Sequence, residues 1–111
     1  MEINVRTAGD VTVLDLKGNL TLGAGEQKMR EVIDELLASG RTRLLLNFAA
    51  VPVLDSSGIG AIIKSFTTAK KDGGKLKLVN LSRLARQLLS ITGLLSVLEV
   101  FDDEASALAS F

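Results

Sequence analysis

Leu44-Leu45-Leu46-Asn47-Phe48, then Val51-Pro52-Val53-Leu54, then Asp55-Ser56-Ser57-Gly58-Ile59-Gly60-Ala61-Ile62-Ile63-Lys64-Ser65-Phe66 is the stretch that decides the fold. Its first run is apolar at consecutive positions and too short for a helix, so it reads as a central strand covered on both faces. Beyond it, Ile59, Ile62, Ile63 and Phe66 recur at helical spacing until Asp72-Gly73-Gly74 stops them. A doubly covered strand running into an amphipathic helix is the repeating unit of a parallel α/β sheet.

The same alternation extends outward in both directions. Upstream, Ile3 and Val5 alternate with polar residues, Ala8-Gly9-Asp10 supplies a turn, and Val11 to Lys17 forms a second extended run, together predicting a hairpin. Gly18 to Gly23 is a loop. Met29, Val32, Ile33, Leu36 and Leu37 then mark a helix from about Glu26 to Ser39, ended by Gly40. Downstream, Lys75 to Asn80 alternates as a strand with Leu76 and Leu78 on one face. Ser82 is placed to cap a helix carrying Leu84, Leu88 and Ile91, with Gly93 at its end. Val97 to Phe101 reads as a last strand, and Asp102-Asp103-Glu104 opens a short final helix, where the helix dipole favours acid. The expectation is one α/β domain over residues 1–111: a mixed, mostly parallel sheet with an N-terminal hairpin and about four helices.

Composition narrows the chemistry. The 111 residues carry 13 Lys plus Arg against 13 Asp plus Glu, are 47% apolar and 23% charged, and include no Cys, His, Trp or Tyr. This is the balance of an ordinary globular domain. Without Cys there is no thiolate nucleophile or disulfide; without His there is no imidazole base, and structural zinc loses its usual ligands. Zero net charge and only four aromatics argue against a nucleic-acid surface. No segment approaches the roughly 20 apolar residues of a membrane span, and the first residues lack the order of a signal peptide. The chain is expected to be cytoplasmic, to bind no metal or cofactor, to insert in no membrane and to lack an active site of its own.

The segment with chemical interest is Asp55-Ser56-Ser57-Gly58-Ile59-Gly60, where a buried strand meets a helix. Sites in α/β sheets form beyond the carboxyl ends of parallel strands. A helix start there offers free N–H groups and a partial positive charge that suits an anion, and two hydroxyls sit where a phosphate could be attached. Plain helix capping accounts for the same residue types, and spacing alone does not choose between the two. Three other matches are weak. Gly58-Ile59-Gly60 resembles a dinucleotide fingerprint, but Ile63 occupies the third glycine position; Lys64 lies inside the helix with no glycine before it, unlike a phosphate loop. A nucleophile elbow and its base are missing. Lys70, Lys71, Lys75 and Lys77 read as a solvated surface around a turn. Apolar residues between Leu20 and Ala24 are candidates for a contact surface.

Val53-Leu54-Asp55-Ser56-Ser57-Gly58-Ile59-Gly60 resembles the signature of STAS domains, specifically the bacterial anti-sigma factor antagonists. Leu16-Lys17-Gly18, Gly73-Gly74-Lys75-Leu76 and Ile91-Thr92-Gly93-Leu94 support it in the same order along the chain. The resemblance implies that Ser56 is phosphorylated by a partner that is both anti-sigma factor and serine kinase, with Asp55, Ser57, Gly58 and Gly60 shaping the phosphosite at the helix start. It further implies that the unphosphorylated protein binds that partner and frees a sigma factor, that phosphorylation ends the binding, and that a PP2C-type phosphatase restores it. The loop Gly18, Asn19, Leu20, Thr21 corresponds to a partner-binding segment. The family usually has acids where Asn19 and Thr21 stand, so the resemblance does not fix which anti-sigma factor is the partner. The alternative is a stand-alone STAS accessory subunit, like those of lipid-exporting ABC transporters, or another non-enzymatic scaffold.

Overall fold

The computed structural model describes residues 1–111. Along the chain come β1 (Glu2–Ala8), β2 (Val11–Lys17), α1 (Ala24–Ala38), β3 (Arg43–Ala50), α2 (Ser56–Lys71), β4 (Lys75–Val79), α3 (Arg83–Ile91), a 3₁₀ turn (Leu94–Ser96), β5 (Val100–Phe101) and α4 (Glu104–Ala109). The strands lie side by side in the order β1-β2-β3-β4-β5. β1 pairs antiparallel with β2, and every later pairing is parallel. The expected mixed sheet, N-terminal hairpin and four helices are all present.

Alternation along β3 explains how the sheet is covered. Leu44, Leu46 and Phe48 enter a cluster with Met29 and Ile33 of α1, Ile59 and Ile62 of α2, and Leu89 of α3. Leu45, one step out of phase, meets Val11, Val13, Val79 and Ala107 of α4 on the opposite face. Three successive crossovers step the same way across the sheet, so the right-handed rule places α1, α2 and α3 on one face. The shorter α4 covers the other. Leu44, Leu45 and Leu46 are each fully buried, as a strand without a wet face requires.

Four expectations need correction. The last strand is two residues rather than five: Gly93 turns the chain at φ +76°, a 3₁₀ turn follows, and only Leu78 and Val79 of β4 gain partners in Val100 and Phe101. In α3 the buried residues are Ala85 and Leu89, while Leu84 and Ile91 are 75% and 83% exposed. Apolar residues lie on two faces of that helix, and the Ser82 hydroxyl, accepting from the Ala85 N–H at 3.1 Å, sets the phase that turns the small residue inward. Lys77 is no part of a solvated patch but is 4% exposed, because strand alternation points it away from Leu76 and Leu78 and under α4. Its ammonium donates to the Ser110 carbonyl at 2.8 Å, pairs with Glu99 at 2.9 Å and lies 4.8 Å from the Phe111 ring centre. Finally, α1 begins at Ala24 behind Gly23, which offers no side-chain cap, rather than at Glu26, and ends at Ala38.

Candidate functional site

Two connections at the carboxyl edge of the sheet build the site. The segment after β2 and the segment after β3 run side by side: the Gly18 N–H donates to the Ala50 carbonyl at 3.0 Å, the Leu20 N–H to Val53 at 2.9 Å, and Leu20 forms an isolated parallel bridge with Leu54. This zipper continues the parallel pairing past the strands proper and brings Gly18, Asn19, Leu20 and Thr21 beside the start of α2. Asn19 is exposed and Thr21 half-buried, whereas the Leu20 side chain is fully buried in the core. Leu20 therefore serves the site through its backbone, and Leu22, 76% exposed, is the large apolar side chain that this loop presents.

Asp55 ties the two segments together. Its backbone is extended, as an N-cap demands. One carboxylate oxygen accepts from the Gly58 N–H at 2.9 Å and the other from the Leu22 N–H at 3.1 Å. These bonds, that from Gly58 first, hold its pKa below the ordinary carboxylate range. A carboxylate with both oxygens committed and a lowered pKa is a structural clamp and a poor proton acceptor. Gly58 lets the clamp close: a Cβ there would stand 2.2 Å from the Leu20 carbonyl oxygen, and Gly25 repeats the arrangement 2.3 Å from that of Asn19. Both glycines are required by backbone against backbone.

Ser56 follows the clamp as the first residue of α2 and is exposed; Ser57 is half-buried, and Gly60 is exposed one turn further on. The hydroxyl of Ser56 thus stands in solvent at the positive end of a 16-residue helix. Two grooves flank this point. Glu26 and Arg30 of α1 face Ser57, Gly60, Ala61 and Lys64 of α2 across one. Pro52, Val53 and Leu54 face Leu84, Leu88 and Ile91 of α3 across the other. Sequence reasoning did not anticipate the first, since nothing in the spacing of Arg30 and Lys64 places the two helices side by side. The second was concealed by reading the α3 stripe as core. No group of His, Cys, Asp and Glu is arranged to hold a metal ion, and no helix is long and apolar enough to cross a membrane.

The STAS domain family model matches residues 2–107. The chain belongs to the STAS domain family. As a STAS domain it is 31% identical over 99 residues to the anti-sigma-B factor antagonist of Bacillus subtilis strain 168, covering 89% of this chain and 81% of that one. A crystal structure of a Thermotoga maritima protein is similar with a TM-score of 0.91 at 23% identity, over 97% of this chain and 92% of that one. The Bacillus cell fate determinant SpoIIAA in its phosphorylated form gives 0.75 at 20% identity, over 99% and 100%. The last two likenesses speak for the fold: the STAS sheet, its hairpin and its helices recur where few residues are shared.

Proposed function

We propose that this STAS domain is an anti-sigma factor antagonist switched by phosphorylation of Ser56. In its unphosphorylated form it binds an anti-sigma factor that is also a serine kinase and so frees a sigma factor. Phosphorylation ends the binding, and a PP2C-type phosphatase restores it. The domain itself catalyses nothing: Asp55 is occupied as a clamp, and the kinase brings the base and the ATP. Homology to the Bacillus subtilis antagonist supports the reading. The observation that carries it is the Ser56 hydroxyl, exposed at the helix start directly after the anchored Asp55.

The physical effect of the modification follows from that position. A phosphoserine carries about −1.5 to −2 charges at pH 7. One unit charge pair about 5 Å apart at an effective dielectric of 20 interacts by roughly 3 kcal/mol, which is about a hundredfold in affinity. The positive end of the α2 dipole tolerates the phosphate, so the fold stays and the interface changes. Incubation with an anti-sigma factor serine kinase from the same organism and ATP should place one phosphate on Ser56 by mass spectrometry, and Ser56→Ala should abolish it. Phosphate on another residue, or none, would sink the proposal.

A further inference from the structure

The sheet has two edges, and only one of them is guarded. β5 blunts its edge by shortness, offering two residues. β1 offers seven, from Glu2 to Ala8, with a hydrogen-bonded neighbour on one side only. The usual protections are missing there: β1 holds no proline and no lysine, and its pairing with β2 runs from Glu2↔Lys17 to Ala8↔Val11 without a bulge. Its one cation, Arg6, is held within the chain by Asp15 and Glu104. Gly9, at φ +61°, opens a two-residue turn, so Ala8 and Val11 form a hydrogen-bonded pair. Bonding alternates along an antiparallel ladder. Glu2, Asn4, Arg6 and Ala8 therefore bond to β2, while the N–H and C=O groups of Ile3, Val5 and Thr7 point outward with no strand to receive them. Val5 lies at the middle of this row, and its apolar side chain is 39% exposed.

We propose that β1 pairs antiparallel with β1 of a second copy of this chain, with Val5 on the two-fold axis, joining two five-stranded sheets into one. Self-complementarity selects a second copy as the occupant. Centring the pair on Val5 overlaps all seven residues and sets the outward groups of Ile3, Val5 and Thr7 opposite those of Thr7, Val5 and Ile3 of the second copy. The two exposed valines then cover each other. Glu2 faces Ala8 and Asn4 faces Arg6, so no like charges are opposed. Moving the centre to Asn4 or Arg6 would leave two residues of each strand overhanging. β2 separates β1 from β3, which leads to the Ser56 segment, so pairing leaves both Ser56 hydroxyls open and needs no phosphate.

Sedimentation equilibrium of the whole chain from about 1 µM to about 1 mM tests this, since one strand pair is a small interface and weak association is expected. The wild type should pass from monomer to dimer across that range. Val5→Lys and Thr7→Lys each put a charge on an exposed position of the edge. Both should melt close to the wild-type temperature and weaken the dimer by about tenfold or more. Because the chain has no cysteine, single substitutions report the register. Hydrogen-bonded partners have Cα atoms about 5.5 Å apart, within disulfide reach, so oxidised glutathione should convert Val5→Cys to a covalent dimer. Asn4→Cys, offset by two residues from its own copy, should not link. A chain that stays monomeric throughout and unlinked at Val5 overturns the proposal. So does a dimer that the two lysine substitutions leave intact, or one that links through Asn4 rather than Val5.

Discussion

On the α4 side of the sheet, Arg6 donates to Asp15 at 2.8 Å and to Glu104 of α4, Asn47 donates to Asp15 at 2.8 Å, and Asn80 donates to Asn47 at 3.0 Å. Lys77 is used up in the same way by Ser110 and Glu99. At the start of α2, on the other side, Asp55 alone is committed to the fold, while Ser56, Gly60 and Lys64 stand exposed along one stripe. The first region spends its polar groups on internal partners; the second withholds them. Residue type does not separate the two regions, since each has its carboxylates, cations and hydroxyls. What separates them is whether a partner exists within the chain.

If that division is right, substitutions in the first region should change stability and leave partner binding alone, and the two neighbouring glycines of α2 should behave oppositely. The largest effect belongs to Gly58→Ala. Its methyl would stand 2.2 Å from the Leu20 carbonyl oxygen, and backbone cannot yield as a side chain does. A loss of about 3 kcal/mol, or failure to fold, is expected in urea unfolding; near wild-type stability would show that the clamp is not tight. Lys77→Ala comes next. It leaves a cavity under α4 where an aliphatic stem was packed, costing about 2–3 kcal/mol. Lys77→Met should recover most of this, because the remaining Glu99 is 60% exposed and stays hydrated. If Met is as damaging as Ala, the buried ammonium rather than the stem holds α4.

A smaller effect is expected with pH. Arg6, by hydrogen bonding, holds Asp15 and Glu104 below their ordinary carboxylate range. Folded values lower than unfolded ones mean that this stability is fully present above the unfolded values near 4 and is lost as pH falls through the lower folded ones. The three side chains are 30–38% exposed, so solvent screens the network and about 1 kcal/mol is at stake. Between pH 5 and pH 2 the wild type should therefore lose about that much more stability than Arg6→Leu. Parallel curves would remove the network from the account of what fastens α4.

The sequence made the central elements legible because burial on two faces leaves a run such as Leu44-Leu45-Leu46 few other readings. That a capped helix starts within Asp55-Ser56-Ser57 was legible for the same kind of reason, since capping is local chemistry written in adjacent residues; the structure makes Asp55 the cap and Ser56 the first helical residue. Features that depend on distant segments were not. That Lys77 is buried follows from α4 arriving 33 residues later with Ser110. That Leu84 and Ile91 face solvent follows from a helix with two apolar sides, which periodicity alone cannot rank. The bond from the Leu22 N–H to Asp55 uses a backbone donor, which every residue except proline possesses, so no side chain announces it.

Gly60→Ala has the smallest expected effect on the fold and separates the two regions most sharply. Alanine is favoured over glycine in a helix interior, and part of the gain comes from restricting the unfolded chain. With no atom within 4 Å of the added methyl, nothing in the folded protein opposes it. Stability should rise by about 0.5–1 kcal/mol, a melting temperature higher by about 2–5 °C for a domain of this size. The same methyl two residues earlier, at Gly58, should do the opposite with several times the magnitude. A fall in melting temperature for Gly60→Ala would mean that this glycine serves the fold after all, and would move it from the stripe that waits for a partner to the group of residues that hold the domain together.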